Sequence, residues 1–413
     1  MQQELSVNFP FVGEGCSTRI GAFVNLPRGQ NLNSIPASDR SLPSARLLSL
    51  DVLRGLTVAL MILVNNAGDG DVSYAQLRHS AWNGCTLTDL VFPTFLFIVG
   101  ASIVLAFGAR IDRGASRSAI LLQVVKRAAL IALLGLLLNA LPFFDLANLR
   151  YYGVLQRIAL CYALAGSVYL AGGVAASAGV TVLALAGYWW LLVHVSVPGV
   201  GIPGVNIGLL DKYGNLTAWL DRLLVPSAHM YHHTVYDPEG LLSTVPALAS
   251  TLLGVLAAAG LRSAYSTRKK AITLFVAGIV LLNCGLLWSQ AFPLNKRLWT
   301  SSFVLFTGGI AMALLAVIYW LVDGPPQLRR GLTPWQAFGA NALTAYLLSE
   351  LLAIALGAIH LPSGATLQHV LFSLLPRWIG PPPAVSVLYS ILFVAVCYLP
   401  VYGLYRNKIF IKL

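Results

Sequence analysis

Long apolar stretches, separated by short polar, basic or glycine- and proline-rich turns, set the pattern of this chain. Ten stretches read as spanning helices, near 47–66, 90–107, 125–144, 153–171, 174–193, 240–261, 271–292, 301–322, 335–359 and 384–405. Apolar runs of about 17 to 25 residues match roughly 30 Å of hydrocarbon. The apolar run 365–375 is too short to span and reads as an interfacial or re-entrant segment. Residues 1–46 are rich in Ser, Pro, Asn, Gly and Arg and lack the basic start and apolar run of a signal peptide. They read as a disordered cytoplasmic tail, and 47–413 as one transmembrane domain. The expected fold class is all-α, a polytopic membrane protein with about ten transmembrane helices.

Composition agrees. With 57% hydrophobic and 10% charged residues, the chain lacks the charged surface that a soluble domain needs. The net charge of +12 reads as the Lys and Arg excess of cytoplasmic loops and not as a nucleic-acid surface. An inside N-terminus puts most of the 27 Lys and Arg on the cytoplasmic face, including those of loops 108–119, 262–270 and 323–334. Both termini are then cytoplasmic, with Arg54 and Asn341 on that side. His79, Asn65, Gln156, Arg157 and the loops 194–239 and 293–300 fall on the outer face. Five scattered cysteines show neither CxxC nor zinc-like spacing, and Cys85 reads as a small buried hydrophobe before it reads as a nucleophile.

Candidate chemistry gathers in Leu77–Pro93, LRHSAWNGCTLTDLVFP, which runs directly into an apolar helix. A neutral imidazole at His79 can take a proton from an attacking amine or hydroxyl, or attack an acyl group itself. The amide of Asn65 can donate to a developing oxyanion. Thr86 or Thr88 reads as a helix cap, and Asp89 as an acid favoured by the helix dipole. Arg54 and Arg157 each interrupt an apolar run, and an arginine at mid-membrane costs up to about 3 kcal/mol. Arg54 reads either as a snorkelling side chain or as a ligand contact, and Arg157 beside Gln156 as functional. Asp237 and Glu239 read as helix-start acids, or as groups that bind an acceptor or orient His79. Asn295-Lys296-Arg297 reads as a solvated turn or as part of the same pocket. Glu350, inside an apolar helix, needs a partner or a proton. GVGIPG at 199–204 has no βαβ context and reads as a turn. His229, His232 and His233 lack a carboxylate at ligand spacing, so no metal is expected.

Several blocks together resemble the transmembrane acetyltransferases typified by heparan-α-glucosaminide N-acetyltransferase. They are SLDVLRGLTVALMILVN (49–65), HSAWNGCTLTDLVFPTFLFIVGASI (79–103), GVLQRIALCY (153–162), YDPEGLLST (236–244), NKRLWTSSFV (295–304) and FGANALTAYLL (338–348). The resemblance implies transfer of an acetyl group from cytosolic acetyl-CoA to an amino sugar or glycan across the membrane, without a metal. It maps the active-site histidine onto His79 and its asparagine partner onto Asn65, with Asn66 as the alternative because DGDVS lengthens the spacing. Asn83, Gln156, Arg157, Asp237, Glu239 and Lys296 are the expected acceptor contacts. Arg54, Arg157 and Asn341 are the expected donor contacts. The large lumenal domain of the animal enzymes has no counterpart here. Heparan sulfate itself is then not the expected acceptor; the composition and short outer loops point to a bacterial inner-membrane protein acting on an envelope glycan or a smaller amino sugar, with a possible homodimer. Transfer is either direct, with His79 as base, or by way of an acetylated His79. The alternative class is a proton-coupled transporter or glycan flippase with His79 and Glu350 as relay, although no internal repeat supports it.

Overall fold

The computed structural model describes residues 47–411 apart from Arg377 and Ile379; the expected tail, 1–46, lies outside the described residues. The described helices are α1 (Leu48–Asn65), α2 (Leu87–Ile111), α3 (Arg117–Ala140), α4 (Val154–His194), α5 (Leu216–Leu224) and α6 (Thr244–Arg262), followed by α7 (Thr267–Trp288), α8 (Ser301–Val322), α9 (Thr333–Ala340), α10 (Ala342–Ala358), α11 (Leu367–Ser373) and α12 (Pro382–Arg406). Ser116 and Ser266 cap α3 and α7, accepting from the amides of Ala119 and Lys269. Among the described residues, eight helices are long and apolar enough to cross a membrane, and α9 with α10, bent by 85° at Asn341, makes a ninth crossing if the pair is one span.

The 41-residue α4 is two crossings joined at Gly173, whose φ of 62° and ψ of −141° are not helical. A straight helix would hold Arg157 and Tyr188 about 46 Å apart. Instead Arg157 lies over the Trp299 ring while the Tyr188 hydroxyl donates to the carbonyl of the adjacent Leu298. The chain therefore folds back at Gly173, and counting both arms gives the ten crossings expected. Two expectations need amendment. The ninth span is broken and not continuous, and the loop 195–243 carries a short helix, α5. The run 365–375 holds the seven-residue α11, too short to span.

Alternating crossings sort the loops onto two faces. One face carries residues 66–86, 141–153, 195–243, 289–300 and 359–381, and is called the His79 face. The opposite face carries 112–116, 263–266 and 323–332. Both ends of the described chain lie on that opposite face. The amide of Ser49 donates to Asp323 at the end of α8, and Asn341 holds Ile409 and Ile411.

Small residues let helices approach closely, as expected where lipid removes the hydrophobic drive between them. A Cβ added at Gly100 of α2 would lie 1.7 Å from the Thr251 carbonyl oxygen of α6, and one at Gly254 of α6 1.8 Å from that of Phe97. The main core packs α2 against α4, α6 and α8 around Leu96, Phe97, Leu252 and Phe303. By contrast, α3 presents Leu122, Val125 and Leu133 outward, an apolar surface suited to lipid.

Candidate active site

His79 sits where the first long loop meets α2, and α2 anchors it. Its Nδ1 lies 2.7 Å from Asp89 Oδ1. The other oxygen, Oδ2, accepts from the amides of Ser80 at 3.1 Å and Thr86 at 3.0 Å and from the Thr86 hydroxyl at 3.0 Å. Asp89 is thus both the acid that closes the start of α2 and the acceptor that orients the imidazole. Its side chain is wholly buried, while that of His79 is 44% exposed. With Nδ1 held as the donor, Nε2 is left as the acceptor on the open side, the tautomer a general base requires.

A second loop completes this corner. The amide of Gly84, at φ +116°, donates to the Leu294 carbonyl, and Asn295 Nδ2 donates to Asn83 Oδ1 at 3.1 Å. A side chain at position 84 would strain this left-handed backbone. The pairing delivers Lys296, whose Nζ lies 3.1 Å from both ring nitrogens of His79 and 3.9 Å from Asp89 Oδ1. Equal distances to the two nitrogens set the ammonium against the ring face and not in its plane. Burial pushes the Lys296 ammonium down from its ordinary range, against the pull of Asp89 and Glu239. Burial, reinforced by Asp89, pushes the Cys85 thiol up to about 12, so Cys85 is not a thiolate at neutral pH.

Beside this corner lies an ionic cluster. Arg150 donates from Nε and Nη2 to the two oxygens of Asp237, at 2.9 and 2.6 Å, and from Nη2 to Glu239 at 2.5 Å. Burial alone would raise the Glu239 carboxyl, but Arg150 above all holds it below the usual carboxylate range. Asp237 also accepts from the amides of Tyr231 and Glu239, so its oxygens are fully engaged. Its own amide donates to Asp221, a wholly buried carboxylate that burial raises to about 6. Arg157 is 1% exposed, donates to the Gly240 carbonyl and the Ser243 hydroxyl, and leaves Nε and Nη1 without a partner in the protein. Its position joins the start of α4 to the chain entering α6.

From the opposite face a cavity of about 700 Å³ runs between α1, α2, α3, α4 and the α9–α10 break. Arg54, Arg110, Lys126 and Arg127 line the half nearer that face, and Phe92, Ile98, Ile131 and Ile158 line an apolar interior. Phe92 is one turn from Asp89, so the inner end approaches the anchor of His79. Tyr346, also on the wall, interacts with Glu350, as does Asn65. The volume and the apolar lining fit a small-molecule site, and the cations suit phosphates near one end.

The structure brings together five of the ten residues expected from the sequence. His79, Asn83 and Lys296 form one corner, with Asp237 and Glu239 in the neighbouring cluster. Arg54 lines the cavity, bonded to Asp51, Ser102 and the Gly339 carbonyl. Asn341 stands at the bend between two cavity-lining alanines, its own amide clamping the backbone of Ile409 and Ile411. Arg157 and Gln156 do not line the cavity; Gln156 packs against Gly135 of α3. Asn66 is buried and bonded back to Ile62, whereas Asn65 is exposed. Sequence reasoning missed Arg150, Tyr346 and the cavity cations Arg110, Lys126 and Arg127, and it gave Asp89 only a favourable interaction with the helix dipole. The recoverable signal was an acid at the third position of α2, ten residues after the histidine. Among the described residues no group of three His, Cys, Asp or Glu is disposed to hold a metal ion.

Residues 46–200 match the family model described as the catalytic region of heparan-alpha-glucosaminide N-acetyltransferase. The mouse heparan-alpha-glucosaminide N-acetyltransferase is 32% identical over 363 residues, covering 74% of this chain and 54% of the relative. The human protein of the same name is 30% identical over 357 residues, covering 73% and 52%. The chain spans about half the length of the curated relatives it matches.

Proposed function

Because the chain belongs to the heparan-α-glucosaminide N-acetyltransferase-like family, we propose that it is a membrane N-acetyltransferase that moves an acetyl group from acetyl-CoA to an amino sugar or glycan. The observation that carries this reading is the cavity, cationic toward one face and apolar within, ending one turn from the Asp89–His79 pair. The nucleotide phosphates of the donor meet Arg54, Arg110, Lys126 and Arg127. The pantetheine arm follows the apolar wall, and the thioester reaches His79. The positive-inside rule supports a cytoplasmic location for the basic face and an outer, periplasmic location for the His79 face of a bacterial inner membrane.

In the direct route the acceptor amine attacks the thioester carbonyl while His79 Nε2 takes its proton and later returns it to the departing thiolate. Asp89 holds the ring and balances the charge that develops on it. The amide of Asn65 donates to the oxyanion. Asn83, Lys296 and Glu239 face the acceptor, with Arg150 fixing Glu239. Arg157 acts as a positioning residue for the loop that carries Glu239. Direct transfer is preferred to an acetylated His79, since an acyl-imidazole hydrolyses readily unless water is excluded and the ring is 44% exposed.

The test uses purified protein, labelled acetyl-CoA, glucosamine and a panel of envelope glycans, with wild type beside His79→Ala. Label transfer that disappears in the variant is the expected result. If wild type neither binds acetyl-CoA, releases CoA nor labels any acceptor, the transferase reading falls and a proton-coupled carrier takes its place.

A further inference from the structure

Lys296 is placed against the catalytic base with unusual intimacy. Its Nζ lies 3.1 Å from both nitrogens of His79, and its side chain is only 16% exposed. The loop that carries it is rigidly held. Asn295 is wholly buried and accepts from the Leu298 amide, Leu298 and Trp299 are buried, and the Gly84 amide bonds the Leu294 carbonyl. The neighbouring cation, Arg297, is held differently, donating to the Tyr236 hydroxyl at 3.2 Å. Asp89 approaches Lys296 only to 3.9 Å, beyond hydrogen-bond distance, so the carboxylate neutralises the amine without locking it. A buried lysine whose ammonium is destabilised has a larger share of free amine, which is the nucleophilic form.

We propose that Lys296 is itself an acetyl acceptor: when donor is bound and no sugar is present, the protein acetylates its own lysine beside His79. The inference rests on the acetyl-transfer reading above. In this step the free amine of Lys296 attacks the thioester carbonyl carbon. A carbon–nitrogen bond forms, the carbon–sulfur bond breaks, and CoA leaves as the thiolate. The proton shed by the nitrogen as the amide forms passes to His79 Nε2 and from there to the thiolate. The products are Nε-acetyl-lysine, CoA and His79 in its starting state, with no other reactant consumed. The modification removes the ammonium that faces Asp89 and leaves a bulkier neutral amide over the imidazole. Self-acetylation therefore switches the site off, and an occupying sugar protects against it.

The experiment incubates the full-length wild-type protein with isotopically labelled acetyl-CoA, with and without glucosamine, and maps the label by peptide mass spectrometry. Without sugar, label is expected on Lys296 ahead of Lys269 and Lys270 in the first turn of α7, with a matching loss of later glucosamine acetylation. Added glucosamine should suppress it, and Lys296→Arg and His79→Gln should abolish it. A Lys296 peptide that stays unlabelled in the sugar-free arm, while glucosamine is labelled when supplied, overturns this inference and leaves the transferase reading standing. Label on Lys296 no faster than on Lys269 and Lys270, or equal in His79→Gln, marks non-enzymatic chemistry and overturns it as well. Absence of label on both sugar and protein, with no CoA released, removes both.

Discussion

At the scale of single residues, Asp89 does the most with one side chain. Its carboxylate receives three donors that start α2 and a fourth contact from His79. Asp89→Asn keeps the volume but reverses the hydrogen-bond logic, because an amide nitrogen facing Nδ1 favours the wrong tautomer. We expect kcat to fall about 10²- to 10⁴-fold, with a smaller change in KM, read from steady-state kinetics of acetyl transfer. Asp221 gives a prediction of opposite character. Burial raises its carboxyl to about 6, so between its ordinary value of 3.8 and about 6 the folded protein binds the proton that the unfolded chain has lost. Its contribution to stability therefore increases as pH falls through about 6 and is lost as pH rises past it. Thermal unfolding of wild type in detergent should show this gain between pH 7 and pH 5, and Asp221→Asn should flatten it. The depressed Glu239 carboxyl acts in the other direction and at lower pH, so the two windows separate. Sequence alone singled out His79 as a candidate from its polar company in an apolar chain. It assigned Asp89 to the helix start, which was half of its role, because the fold of the nine intervening residues is not written locally. Arg150 was invisible for the same reason: its partners are 87 and 89 residues away.

At the scale of helices, the pairing of α2 with α6 depends on glycine at the contact. Gly100→Leu or Gly254→Leu drives a side chain into a facing backbone carbonyl, less than 2 Å from where a Cβ would sit. Overpacking of this kind costs about 1 to 3 kcal/mol or more, so a clear drop in Tm is expected in detergent. Gly260→Ala, on the same α6 but with nothing within 4 Å of its added carbon, should leave Tm nearly unchanged. Nine of the crossings were legible as continuous apolar runs, including the two arms of α4. The break at Asn341 was not legible, because FGANALTAY is apolar on both sides and the bend follows from tertiary contacts. Asn341 spends its side chain on Ile409 and Ile411, and its φ of −120° and ψ of 39° interrupt the helix. Helix α5, only nine residues long, was hidden within the long loop 195–243, although Asn215 caps it by accepting from Ala218.

At the scale of the whole molecule, the cavity runs from cations near one face to Phe92, one turn from Asp89, which anchors the proposed base His79. Replacing Arg110, Lys126 and Arg127 by glutamine should raise KM for acetyl-CoA about tenfold or more and change kcat little, the signature of lost uniform binding. The effect should shrink with rising salt, and S-acetylpantetheine, which lacks the nucleotide phosphates, should not distinguish the variant from wild type. Equal sensitivity of both donors would remove these side chains from phosphate recognition. The reversal at Gly173 bears on how such a molecule is made. The two arms of α4 meet at one non-helical residue, so they have no loop between them and no lysine or arginine on the turn to be retained during insertion. Neither arm can be threaded and anchored by its own flank; the pair must enter the bilayer together, as a hairpin. The guanidinium that marks the turn comes from outside it, since Arg117 at the head of α3 donates to the Leu170 carbonyl. The orientation of the fourth and fifth crossings is thus inherited from the third, and an early error in placing α3 would be copied through the translocon into both.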